Sequence, residues 1–151
     1  MPLRFRLAQG EDEDALLLLS QARIEASTLT REELRSYLAH PEETPVYVLE
    51  EENQIVAYLL LRLYGEEAEI DEIAVSFSFE GKGRGTFLLQ EGERRLAQEG
   101  VKRLFLEVRR RNVRAVRFYE RNGFTPYRTR KNYYGDDDAV CYRKEIGEHE
   151  G

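Results

Sequence analysis

Apolar and polar positions change their period along the chain, and each change marks an element. Phe5 and Leu7 alternate with Arg4 and Arg6 between Arg4 and Ala8, the pattern of a half-buried strand. Glu11-Asp12-Glu13-Asp14 precede the apolar run Ala15–Leu19. Carboxylates at that position meet the positive end of a helix dipole, so the acidic run reads as a helix start rather than a metal site. Thr30 and Glu33 have capping-box spacing ahead of Leu34, Tyr37 and Leu38, and that second helix ends near His40-Pro41. Val46–Leu49 and Ile55–Leu63 are apolar and β-prone around the polar turn Glu50–Gln54, which makes a hairpin. After the turn Tyr64–Glu67, Ala68–Val75 is the next strand.

A glycine-rich turn, Glu80-Gly81-Lys82-Gly83-Arg84-Gly85, then runs directly into a helical pattern from Thr86, with Leu88, Leu89, Gly92 and Leu96 at helical spacing. Gly92 inside a helix costs about 0.8–1 kcal/mol against alanine, which points to close packing on the sheet. A strand at 103–109, a helix at 112–122 and a hairpin near 124–132 and 139–145 complete the pattern. Sequential hairpins followed by a βαβ unit predict a mixed α/β fold. We expect a mostly antiparallel central sheet of about seven strands with one parallel pair, flanked by four helices.

The strand–glycine turn–helix order creates candidate anion chemistry. Gly83 and Gly85 allow positive φ and close approach of backbone N–H groups, and the helix behind adds unpaired donors, so a pyrophosphate would fit there. Two common glycine loops are excluded by spacing. Lys82 precedes the key glycines and no Lys-Ser/Thr pair follows them, unlike a P-loop. Only Gly83-x-Gly85 is present, with Phe87-Leu88 where a dinucleotide fingerprint needs its third glycine.

The combination of Ile73-Ala74-Val75, Gly83-x-Gly85, Leu106-Glu107-Val108, Asn112, Phe118-Tyr119 and Asn122-Gly123-Phe124 resembles the GNAT acetyltransferases. Lys131-Asn132-Tyr133-Tyr134, followed by Asp138-Ala139, is most similar to the ribosomal-protein-alanine N-acetyltransferases of the RimI type. The resemblance covers about residues 70 to 145. It implies acetyl-CoA as cosubstrate. The pyrophosphate would sit on backbone amides of Gly81, Lys82, Gly83, Arg84, Gly85 and Thr86, the pantetheine arm along Ile73, Ala74 and Val75, and Asn112 would touch the arm. Asn112 is also a good helix N-cap. Glu107 matches the family's base, with Glu72 as rival, and Tyr119 matches its general acid; the two are expected to flank the thioester. Tyr133 and Tyr134 match the tyrosines that grip a substrate peptide. Two departures stand out: Glu80-Gly81 begins the loop where the family has Gln or Arg and then a basic residue, and 25–33 lacks the family's aromatic-proline stretch.

Composition changes the picture in a few places. With 151 residues the chain fits a single domain over 1–151, the tail 146–151 being flexible, and can bury roughly 70% of its unfolded surface. A net charge of -6 disfavours generic attraction to nucleic acid or an anionic membrane, leaving a ribosomal substrate as the route to RNA. One cysteine, Cys141, and no apolar leader suggest a reducing, cytoplasmic setting. Cys141, His40 and His149 have no metal-ligand spacing, so no metal is expected. Asp136-Asp137-Asp138 would favour a basic peptide or form a solvated turn. The arginines at 110, 111, 114, 117 and 121 would line a helix face, solvated or meeting RNA or the cofactor's ribose phosphate. The expected activity is acetylation of a protein N-terminal α-amine by a monomer or homodimer. A small-molecule amine acceptor, or a non-catalytic CoA-binding or RNA-associated module, are the alternatives.

Overall fold

The computed structural model describes residues 2–24 and 27–147. Its strands are β1 (Leu3–Leu7), β2 (Val46–Glu51), β3 (Gln54–Tyr64), β4 (Glu67–Val75), β5 (Arg103–Arg109), β6 (Thr125–Arg130) and β7 (Ala139–Glu145). The helices are α1 (Glu13–Arg23), α2 (Arg31–Ala39), α3 (Arg84–Gln98) and α4 (Val113–Arg121). The strands form one sheet in the order β1-β2-β3-β4-β5-β7-β6. Every neighbouring pair is antiparallel except β4 and β5. The single parallel pair arises because α3 returns the chain to the sheet between them, as a crossover must.

Two cores lie on the two faces of the sheet. Leu16 and Leu17 of α1 and Leu34 of α2 pack on Val48, Tyr58, Leu60 and Ala74. Leu88, Leu89 and Leu96 of α3 and Tyr119 of α4 pack on Leu59, Leu61, Ile70, Leu104 and Leu106. Each fully buried leucine contributes on the order of 2 kcal/mol. On β5 the alternation separates the faces cleanly, with Leu104, Leu106 and Val108 under the α3/α4 layer and Phe105 and Glu107 turned the other way. The capping box of α2 forms as its spacing predicts: Thr30 accepts from Glu33 N, and Glu33 accepts from Thr30 N at 3.0 Å. A Cβ on Gly92 would come 2.7 Å from Leu59 Cδ2, which explains glycine in mid-helix.

Two local details position the site. A register shift between Leu60 and Leu61 makes Asp71 the extra residue on β4, and the bulge re-aims the strand. Glu72 and Ala74 then face α1 and α2, while Ile73 and Val75 face α3. The β4–β5 ladder, moreover, holds only Glu67–Arg103, Ala68–Leu104 and Glu69–Phe105. Beyond these the two strands make no further pairs, leaving an opening in the sheet.

The acidic run before α1 is structural. Asp12 is buried and takes Arg6 through Nη1 at 2.8 Å and Nη2 at 3.1 Å, and Glu13 pairs with Arg31 and Arg35. The tail is anchored further than expected, since N–H groups of Ile146 and Gly147 both donate to Lys102 O. Residues 148–151, including His149, lie outside the described residues. No helix among the described residues is long and apolar enough to cross a membrane.

Candidate active site

The turn after β4 ends in a row of free donors. Phe87 N–H bonds to Gly83 O at 3.0 Å, whereas no acceptor among the described residues takes the N–H groups of Gly81, Lys82, Gly83, Arg84, Gly85 or Thr86. Gly81 and Gly83 have φ of 76° and 78°, the left-handed region, and nothing stands within 4 Å of where their Cβ atoms would be. Gly85 is needed for a different reason, because a Cβ there would sit 3.2 Å from the Phe118 ring and 3.5 Å from Val75. Six donors at a helix start, uncrowded by side chains, fit a diphosphate. Of the two loop cations, Arg84 is committed elsewhere, held by the buried Glu51 carboxylate at 2.8 and 2.9 Å. Lys82 makes no ion pair among the described residues and lies over the Phe79 ring. Glu80 is bound by Arg23 from α1 and Arg114 from α4, so its negative charge next to the donor row is offset by two arginines.

Ile73, Ala74 and Val75 pair with Leu59, Tyr58 and Ala57 on one side only. Their other edge faces the opening, so alternate backbone groups remain for an extended, amide-bearing arm. Asn112 caps α4, its Oδ1 accepting from Ala115 N at 3.1 Å, as expected from its residue type.

Glu107 and Tyr119, expected to flank one thioester, lie on opposite faces of the sheet. Tyr119 sits in the α3/α4 core, 6% exposed, where burial raises its phenol above the ordinary range and keeps it protonated at neutral pH. Its rings neighbour Phe118 and Phe124 at 5.2 and 5.5 Å. Glu107 stands on the other face, opposite Cys141 of β7, with Cys141 Sγ 3.7 Å from its Oε1. A flat strand pair would separate these two groups completely. The two can flank one molecule only if that molecule threads the β4–β5 opening.

Glu72, the rival carboxylate, is on the Glu107 face. It accepts from Tyr58 Oη at 2.6 Å, and burial raises its pKa despite that bond. Glu69 also faces this side, raised by burial and then by Asp71 and Glu107. Tyr133 and Tyr134 form an edge-to-face pair, centroids 5.1 Å apart, in the turn between β6 and β7. Tyr133 is 53% exposed, and Arg109 lies 4.2 Å over the Tyr134 ring.

Two charge patterns differ from the sequence expectation. Asp136, Asp137 and Asp138 are paired within the chain, although the Asp136 side chain stays 68% exposed. Asp136 pairs with Arg109 and Arg111, Asp137 accepts from Arg111 N at 2.9 Å, and Asp138 accepts from Asn132 N at 2.9 Å beside Arg110 and Lys131. They tie the β6–β7 turn to the end of β5. Correspondingly, Arg110 and Arg111 precede α4 rather than lining it, and Arg114 is taken by Glu80. Sequence reasoning also passed over Arg130, whose Nε is 3.1 Å from Glu107 Oε1. Nothing local marks that contact; only strand register brings the two together. The departure at 25–33 is partly beyond view, because Glu25 and Ala26 lie outside the described residues.

An unpaired strand edge leading to a helix-capped donor row suits a group-transfer enzyme using an extended, diphosphate-bearing cosubstrate. Residues 14–124 match the model of the Acetyltransferase (GNAT) family, and the chain belongs to that family. Over 93 residues it is 34% identical to the ribosomal protein bS18-alanine N-acetyltransferase of Salmonella typhimurium (strain LT2), covering 59% of this chain and 63% of the relative. The match thus spans just under two thirds of the relative's length. The crystal structure of the ribosomal-protein-S18-alanine N-acetyltransferase from Escherichia coli aligns over 99% of this chain and 97% of that one, with TM-score 0.87 and 25% identity. The PaiA N-acetyltransferase of Thermoplasma acidophilum, solved in complex with coenzyme A, shares the fold at TM-score 0.82 and 18% identity, over 96% and 99% of the two chains.

Proposed function

We propose that this protein transfers an acetyl group from acetyl-CoA to the N-terminal α-amine of a protein substrate. The observation that carries the reading is the unpaired β4 edge, continuous with the six free N–H groups of Gly81–Thr86 beyond the end of the β4–β5 ladder. The similarity to ribosomal-protein-alanine N-acetyltransferases supports a protein acceptor.

Acetyl-CoA supplies a thioester carbonyl for attack and a thiolate to leave. The chain's residues do the rest. Backbone donors of 81–86 hold the diphosphate, and the edges of Ile73, Ala74 and Val75, with Asn112, orient the arm. Glu107 takes the proton of the acceptor ammonium, directly or through water, since an α-amine with pKa near 7.7–8 is only partly neutral at pH 7. Nitrogen then bonds to the carbonyl carbon as the carbon–sulfur bond breaks. Tyr119, whose phenol is protonated at neutral pH, gives its proton to the departing sulfur. Tyr133 and Tyr134, beside Glu107 and outside the core, hold the peptide backbone.

Acetylation of Ala- and Ser-starting peptides, compared with polyamines and other small amines, tests the acceptor. We expect turnover on peptides. Turnover confined to small amines removes the peptide reading, and no rise in melting temperature with acetyl-CoA removes the cosubstrate.

A further inference from the structure

Across β5, β7 and β6 the register aligns Glu107 with Cys141 and Cys141 with Arg128, and places Arg130 opposite Ala139, one pleat further on the same face. The two residues between, Cys141 and Ala139, are small and fully buried. They leave a low path over β7, and the Arg130 side chain takes it. Its Nε reaches 3.1 Å from Glu107 Oε1, while its guanidinium carbon stands 5.3 Å from the centre of the Tyr133 ring. The Nε contact is one of charge, without the alignment of a hydrogen bond. An ordinary surface ion pair is worth little and touches nothing else. This one joins the proposed base to an aromatic ring of the proposed peptide grip.

We infer that Arg130 is a positioning residue for the acceptor half of the site, fixing the Glu107 carboxylate and the Tyr133 ring relative to one another. The inference rests on the reading of Glu107 and Tyr133 given under the proposed function. Electrostatics agree with the geometry: Glu107 is the largest cause of the rise in Arg130's pKa. The other groups turned toward Glu107 are Glu69 of β4, with Asp71 and Arg62 behind it, Cys141 of β7, Tyr127 of β6, and Tyr134 with Arg109 at the turn. Arg130 is the cation that contacts the carboxylate itself. Without it, the Glu107 carboxylate loses the cation that contacts it and the Tyr133 ring loses its guanidinium neighbour.

The test compares wild type with Arg130→Gln and Arg130→Lys on an Ala-starting peptide, after thermal midpoints confirm that the variants fold. For Arg130→Gln we expect kcat on the peptide to fall about tenfold, because the carboxylate is no longer held in place. We also expect the peptide KM to rise several-fold with the acetyl-CoA KM unchanged. Arg130→Lys recovers kcat, because charge suffices to hold the carboxylate, but leaves the peptide KM high, because an ammonium lacks the planar guanidinium that lies over Tyr133. A second readout needs no turnover: the 15N signal of Arg130 Nε in wild type follows pH through the acid range, and in Glu107→Gln it does not. An active Arg130→Gln enzyme with unchanged kcat and unchanged peptide KM overturns this inference alone. An Nε signal equally pH-dependent with and without Glu107 overturns the pairing. A pH-dependent Nε signal in a protein that acetylates no peptide supports the pairing and overturns the proposed function.

Discussion

The two sides of the β4–β5 opening are built from different materials. The donor row and the unpaired β4 edge use backbone, with glycine keeping side chains out, so their chemistry is fixed by chain geometry over a dozen consecutive residues. The Glu107 side uses side chains brought from β5, β6, β7 and a turn, positions 107, 130, 133 and 141, and its chemistry depends on charges held across a sheet. A backbone site tolerates most substitutions but not a change of φ. A side-chain site tolerates changes of backbone neighbour but not of charge.

Variants that strike one side and spare the other sharpen this contrast. The largest effect is expected from Glu107→Gln, which should lower kcat by on the order of 100-fold or more while acetyl-CoA affinity stays within twofold, by steady-state kinetics and calorimetry. A larger loss from Glu72→Gln than from Glu107→Gln would transfer the base role to β4. Gly83→Val comes next. A branched residue at φ 78° costs roughly 1–2 kcal/mol, so acetyl-CoA should bind about tenfold more weakly, with the loss showing in its dissociation constant. If affinity is unchanged, the diphosphate does not use this turn. Tyr133→Ala removes one ring of the acceptor side and should raise the peptide KM about fivefold, again without effect on acetyl-CoA. Asn112→Ala is the mildest, costing about 1 kcal/mol of helix capping and lowering the melting temperature by about 2–4 °C.

The same contrast governs what could be read from the sequence. Thr30–Glu33, Gly83, Gly92 and Asn112 act through neighbours a few residues away, so residue type and spacing announce them, and the structure places each in its expected local role. The sheet's mixed character followed from hairpins and one crossover. Its order did not: β7 inserts between β5 and β6, a pairing that joins Glu107 to Cys141 over 34 positions and has no local signature. The partners of the acid triplet at 136–138 were not legible because composition counts charges without their partners, here the arginines 109 to 111. Placing Glu107 and Tyr119 on opposite faces likewise needed knowledge of which side of the sheet α4 covers. The alternation of β5 fixed which way Glu107 points relative to Leu106, but nothing in it reveals an opening.

The insertion of β7 also sets an order of events during synthesis. Strand β5 emerges with one flank awaiting a partner that is translated some thirty residues later, Ala139–Glu145. A nascent chain stopped before Ala139 therefore has α3 and its amide cradle but no anchor for Glu107, no Arg130 alignment and an exposed strand edge prone to pairing with other chains. Truncation upstream of β7 should yield aggregating material rather than a weak enzyme.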